Sequence, residues 1–136
     1  MDVVIDTNVV VSGLLFKGAP GRIVSLWQKK NIRPFVTPEI IEEYFRVLAY
    51  PKFQLSSGEI EYLVYQQILP YFEPVSSSTD AQVVIDDPDD AKFIHCALAN
   101  SIEILISGDK HLLDIVRLES VANLHPSEFL ERFDLL

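Results

Sequence analysis

The order of elements in the sequence predicts an α/β protein of three layers, α/β/α, around a central and mainly parallel sheet of four to five strands. Three observations carry this expectation. Short β-branched and aliphatic runs alternate with helical patterns, the signature of parallel strands joined by crossover helices. Runs such as Val3-Val4-Ile5 and Ile104-Leu105-Ile106 are apolar on both alternating faces, as strands covered by helices on both sides must be. The chain has 136 residues, 49% of them hydrophobic, which suffices for one core. Residues 1–136 are therefore read as a single domain.

The elements follow in order. Val3-Val4-Ile5 is a strand ending at Asp6. Val9 to Phe16 is apolar but broken by Ser12 and Gly13, and reads as a short helix or turn. Pro20 opens a helix to about Asn31, with Ile23, Val24 and Trp27 on one face. Arg33 to Thr37 is a second strand. Thr37-Pro38 is a helix start, with Thr as cap and Pro in the first helical position, and this helix stops before Pro51. Glu59 to about Leu69 is a further helix, and Pro74 to Ser76 a short strand. Asp87-Pro88 starts a helix through about Asn100, with Phe93, Ile94, Ala97 and Leu98 as its stripe. Ile104 to Ile106 and Val121 to Leu124 are the last strands, and Pro126 opens a C-terminal helix.

The formal net charge is −9 and the pI about 4.6, which argues against gripping nucleic acid by broad electrostatics. Such a balance permits a local acidic site that approaches phosphate through a metal, or a basic peptide partner. Cys96 is the one cysteine, so no intrachain disulfide can form. The opening Met1-Asp2 lacks a basic leader region, and no apolar run approaches the roughly 18 residues of a membrane span. The expected location is the cytoplasm, with no membrane partner.

Four carboxylates are the candidate site. In parallel sheets ligands bind beyond the C-terminal ends of the strands. Asp6 and Asp109 both follow predicted strands there. Glu43 borders the apolar stripe of its helix, about 40° from Val47, while Glu42 lies nearer the solvent face. Asp90 falls within the stripe formed by Phe93, Ile94 and Ala97, where an unpaired carboxylate is costly. Each acid alone also fits an ordinary structural role: a turn or cap for Asp6 and Asp109, a flanking glutamate for Glu43, first-turn dipole charge for Asp90. Together they form a set of oxygen ligands without Cys or His, suited to Mg²⁺ or Mn²⁺. Ions so held activate water and stabilise the transition state of phosphodiester hydrolysis. Asn8 and Ser12 could support Asp6 or a phosphate, Thr7 more weakly so, and Ser107 could bond Asp109.

The sequence here resembles the PIN-domain family. Val4-Ile5-Asp6-Thr7-Asn8-Val9-Val10-Val11-Ser12 is similar to its opening motif. Thr37-Pro38-Glu39-Ile40-Ile41-Glu42-Glu43-Tyr44 is similar to the second, with Glu43 as its acid. Asp87-Pro88-Asp89-Asp90-Ala91-Lys92-Phe93 resembles the third; its acid is placed on Asp90, though Asp89 could share or take the role. Ser107-Gly108-Asp109-Lys110-His111-Leu112-Leu113 resembles the fourth, with Asp109. The match spans nearly the whole chain and is strongest to the branch of toxin components of toxin–antitoxin systems, akin to VapC. It implies a PIN-like sheet, an Mg²⁺- or Mn²⁺-dependent endoribonuclease acting on RNA, a homodimer, and a small basic antitoxin.

Two rival readings stand beside it. An aspartate-based phosphatase or phosphoacceptor of another α/β family also places an Asp after its first strand. The dehalogenase-like pattern, however, wants a second Asp where Asn8 stands, and a receiver domain wants an acidic pair and a terminal lysine that are not evident. The other is a catalytically silent PIN-fold binding module, against which stands the retention of all four acids. His95 and His111 read as surface histidines. Lys29, Lys30 and Arg33 read as a solvated helix end, and Tyr62, Tyr65, Tyr71 and Phe72 as core or dimer interface.

Overall fold

The protein is described by a computed structural model covering residues 1–76, 88–108 and 121–133, with the side chains of residues 88–90 outside the description. Asp87 and Asp109 lie outside the described residues. Five strands form one sheet: β1 (Asp2–Ile5), β2 (Arg33–Val36), β3 (Glu73–Pro74), β4 (Ile104–Ile106) and β5 (Ala122–Leu124). Their order is β3-β2-β1-β4-β5, and every neighbouring pair is parallel. With helices over the sheet, this is the expected three-layer α/β/α architecture. Val3, Val4, Leu105 and Ile106 are fully buried, because the central strands are covered on both faces.

The stretch from Val9 resolves as helix α1 (Thr7–Leu15). Gly13 lies within it at a close contact: a Cβ there would stand 2.5 Å from the Pro20 carbonyl oxygen and 2.6 Å from Val24 Cγ2. The glycine that weakens the helical pattern is thus what lets α2 (Ala19–Gln28) press against α1. Gly18, at φ 110, turns the chain between them. Helix α2 ends earlier than the expected Asn31. Lys30 adopts a left-handed φ of 63, and Asn31 N–H reaches back to Leu26 O at 2.9 Å while Lys30 N–H reaches Trp27 O at 3.0 Å. This is a Schellman ending without the glycine that usually announces it.

Helix α3 (Pro38–Leu48) begins as expected, with Thr37 Oγ1 accepting from Ile40 N–H at 3.3 Å. It buries Ile40, Tyr44, Val47 and Leu48. Helix α4 (Ser57–Tyr62) starts before Glu59, because Ser56 and Glu59 form a reciprocal capping box. It runs on as a wider π-helical turn (Leu63–Ile68) and a 3₁₀ turn (Leu69–Tyr71) around Pro70, which has no N–H to donate. There Gln67 O accepts from Trp27 Nε1 at 3.0 Å. Trp27 meets Phe72 edge-on at 4.9 Å, an arrangement worth about 1 kcal/mol beyond burial. Strand β3 lies at Glu73–Pro74, earlier than the expected Pro74–Ser76, with Val75 N–H closing the ladder on Val36 O. Proline is tolerated there because β3 is an edge strand. Helix α5 spans Pro88–Ala99 and α6 spans Pro126–Arg132.

Candidate functional site

Strand β1 delivers Asp6 to the C-terminal end of the sheet. Ile5 pairs with Ile106, so the residues that follow each strand, Asp6 and Ser107, stand side by side. Both are buried, Asp6 at 6% exposure and Ser107 at 0%. Ser107 Oγ donates to Asp6 Oδ2 at 3.2 Å, and Asp6 N–H donates to Ile106 O at 2.9 Å. The strand register aims Ser107 at Asp6; the support of Ser107 for Asp109 that the sequence suggests falls on a residue outside the described ones. Asp6 also occupies the N-cap position of α1, yet its side chain makes no capping hydrogen bond. Its carboxylate therefore lies beside Ser107 and along a cavity of about 350 Å³ lined also by Asn8, Ser12, Gly108 and His125.

Thr7 connects Asp6 to the second acid. Its hydroxyl, buried at the first turn of α1, donates to Glu43 Oε2 at 2.7 Å. The sequence offers Thr7 as a support for Asp6; the structure makes it the partner of Glu43. Lys92 Nζ, from α5, lies 3.2 Å from the same oxygen, with the side chains of Lys92 and Glu43 only 10% and 15% exposed. Arg46 approaches Glu43 Oε1 at 3.7 Å. Tyr44 lies fully buried next along α3, and its phenol is raised well above 10.0, by burial first and then by Cys96, Asp6 and Glu43. These two acids thus share one end of the sheet.

Asp89 and Asp90 belong to the first turn of α5, directly before Ala91 and Lys92. Their side chains and the whole of Asp109 lie outside the described residues. Among the described residues, no group of three or more His, Cys, Asp or Glu stands together as a metal cluster. Asn8 and Ser12 do line the cavity beside Asp6, as their spacing in α1 allows.

Two residues at this end escape a reading of the sequence. Lys92 lies about 200° from Asp90 on a helical wheel, a position that reads as solvent-facing. Only the packing of α3 against α5 brings it to Glu43. His125 caps α6, its Nδ1 accepting from Ser127 N–H at 3.3 Å, and lines the same cavity as Asp6. The His-Pro-Ser-Glu run, a cap followed by Glu at the third helical position, is the signal that could have marked it.

A model of the PIN domain matches residues 2–111. The chain belongs to the PIN-domain family. Among solved structures, a chain of the crystal structure of VapBC2 from Rickettsia felis bound to a DNA fragment from their promoter has a similar fold. Its TM-score is 0.62 at 13% identity, over 92% of this chain and 98% of that one. No curated protein matches. The match to the PIN domain takes in all four candidate acids.

Proposed function

We propose that this PIN-domain protein is a metal-dependent endoribonuclease, the toxin of a toxin–antitoxin pair, acting as a single domain in the cytoplasm. The observation that carries the reading is Asp6: a nearly buried carboxylate at a strand end, excused from capping its helix and turned instead along an open cavity. Such burial disfavours an isolated charge unless a cation or donors compensate it.

The donor set fits a hard divalent ion. Asp6 and Glu43 offer carboxylate oxygens at one end of the sheet, and Asp90 and Asp109 would complete the set, with Asp89 as neighbour. When bound, Mg²⁺ or Mn²⁺ supplies activation of water and neutralisation of charge on the phosphate. The chain's own residues do the rest. Ser107 fixes the rotamer of Asp6, and Thr7 fixes Glu43. Lys92 supplies a resident positive charge that keeps the acid cluster tolerable in the metal-free fold. Asn8, exposed, and Ser12, half-buried, line the cavity as donors for the oxygens of an RNA phosphate.

The proposed partners are RNA, a second copy of the chain and a small basic antitoxin. The net charge of −9 suits a basic partner, and the VapBC2 structure from Rickettsia felis has the same fold in one of its chains. An arginine of that partner would compete with Lys92 for the carboxylates. A silent binding module is the second reading, favoured by one observation: Lys92 already occupies Glu43 Oε2.

Cleavage of total RNA by protein freed of any co-purified partner decides between them. We expect cleavage with Mn²⁺, none with EDTA, and none from Asp6→Asn under either condition. Activity that is equal in Asp6→Asn and wild type, or absent from a folded wild type with Mn²⁺, contradicts the nuclease reading.

A further inference from the structure

Beside the cavity along Asp6 lies another, of about 480 Å³. Asn8 and Ser12 line both cavities, so the two adjoin along α1. The second is walled by Phe16, Tyr50, Lys52 and Phe53. Phe16 is 60% exposed and Tyr50 44%, a large aromatic area left in water. Phe16 and Phe53 stand 6.4 Å apart at 52°, tilted away from a closed stack. Lys52 Nζ sits 5.1 Å above the Phe53 ring, and among the described residues it makes no ion pair. Lys52 thus places a positive charge in the aromatic wall of this groove, on a chain of net charge −9.

We propose that this groove is a nucleobase subsite: an unpaired RNA base beside the scissile phosphate stacks on Phe16 and Tyr50, while Lys52 meets a neighbouring phosphate. The inference deepens the nuclease reading and rests on it for the position of the scissile phosphate. The charge balance argues for it. An acidic protein gains little from long-range attraction to RNA, so affinity must come from short-range terms near the site. Base stacking on aromatic rings is such a term and tolerates any base. A peptide would also bury apolar surface, but the placement of Lys52 and the shared rim of Asn8 and Ser12 favour a polyanion that continues into the acid cavity.

The test uses a short single-stranded RNA, followed by fluorescence anisotropy and by cleavage with Mn²⁺, on wild type, Phe16→Ala, Tyr50→Ala and Lys52→Gln. Each aromatic truncation should weaken binding about tenfold and raise KM correspondingly, with a smaller effect on kcat. Lys52→Gln should flatten the salt dependence of binding. An RNA carrying a single abasic position next to the cleaved bond should bind wild type about tenfold more weakly but bind the Phe16→Ala and Tyr50→Ala variants no more weakly than intact RNA. Folded variants that bind and cleave RNA as wild type does overturn the subsite while leaving the nuclease reading intact. A wild type that does not cleave overturns the nuclease reading, and anisotropy then judges the groove alone, by whether Phe16→Ala and Tyr50→Ala lose RNA. Variants that keep RNA but lose a protein partner assign the groove to that partner and overturn the proposal.

Discussion

Two junctions in this protein look alike in sequence and do opposite things. After β1, Asp6 stands at the N-cap of α1; after β2, Thr37 stands at the N-cap of α3. Both residues are buried and both have extended backbone. Thr37 spends its side-chain oxygen on the helix, accepting from Ile40 N–H. Asp6 does not, and α1 also lacks an acid in its first turn. Helix α1 is therefore held by tertiary contact, through Val9, Val10 and Val11 in the core and the close approach at Gly13. A good capping residue that declines to cap, in a helix that could use one, has been committed to something else.

The largest expected effect breaks this pair apart. Asp6→Asn should reduce cleavage on the order of a hundredfold or more while leaving the melting temperature nearly unchanged, since no cap is lost. Asp90→Asn should match it. Thermal melting and single-turnover cleavage on the same samples check both; a large drop in stability with activity retained would make Asp6 a structural acid.

Next in size is Lys92. Removing one member of a largely buried ion pair leaves the other uncompensated, but Glu43 keeps Thr7 and the distant Arg46. Lys92→Met should cost about 2 kcal/mol in EDTA. It should also bind Mn²⁺ more tightly than wild type, because no resident cation then competes for Glu43 Oε2. Asp109→Asn should keep or increase stability in EDTA, since it removes one of several like charges. Melts with EDTA and a Mn²⁺ titration test both; weaker Mn²⁺ binding by Lys92→Met would mean the lysine supports the ion rather than opposing it.

Thr37→Ala is the converse of the first test. It should cost about 1 kcal/mol, the usual worth of a threonine cap, with cleavage per folded molecule retained.

The last effect is absent at neutral pH and confined to alkaline pH. Burial pushes the Cys96 thiol up from 9.0 to about 12, so the folded chain holds this proton while the unfolded chain releases it from about pH 9. The unfolded state then binds fewer protons and stability falls as pH rises between about 9 and 12, on the order of 1 kcal/mol per unit. Tyr44 acts in the same direction above about pH 10. Urea unfolding at about pH 8 and pH 10.5 should show the loss, and Cys96→Ala should lessen it.

The sequence was most legible where one element satisfies one rule. The central strands announce themselves because burial on both faces demands continuous apolar runs, and α3 because Thr37, Pro38 and its apolar spacing agree. Legibility failed where a backbone exception replaces the expected residue, as at Lys30, which ends α2 in a conformation that usually belongs to glycine. At the site, Asp6 and Glu43 were recognisable as acids at a strand end and a stripe border. Lys92 was not, since nothing in the pattern of α5 distinguishes a lysine turned to solvent from one that reaches α3. The hydroxyls of Thr7 and Ser107 were visible, but pairing Thr7 with Glu43 needed the packing of α1 against α3, and pairing Ser107 with Asp6 the register of β1 against β4.

On the proposed reading, Asp6 is withheld from its helix to serve a metal. Isothermal titration of partner-free protein with Mn²⁺ tests it most directly, comparing wild type, Asp6→Asn and Thr37→Ala. Wild type and Thr37→Ala should show saturable binding, and Asp6→Asn an affinity at least about tenfold weaker. Equal affinity in wild type and Asp6→Asn, or no binding by a folded wild type, would contradict it.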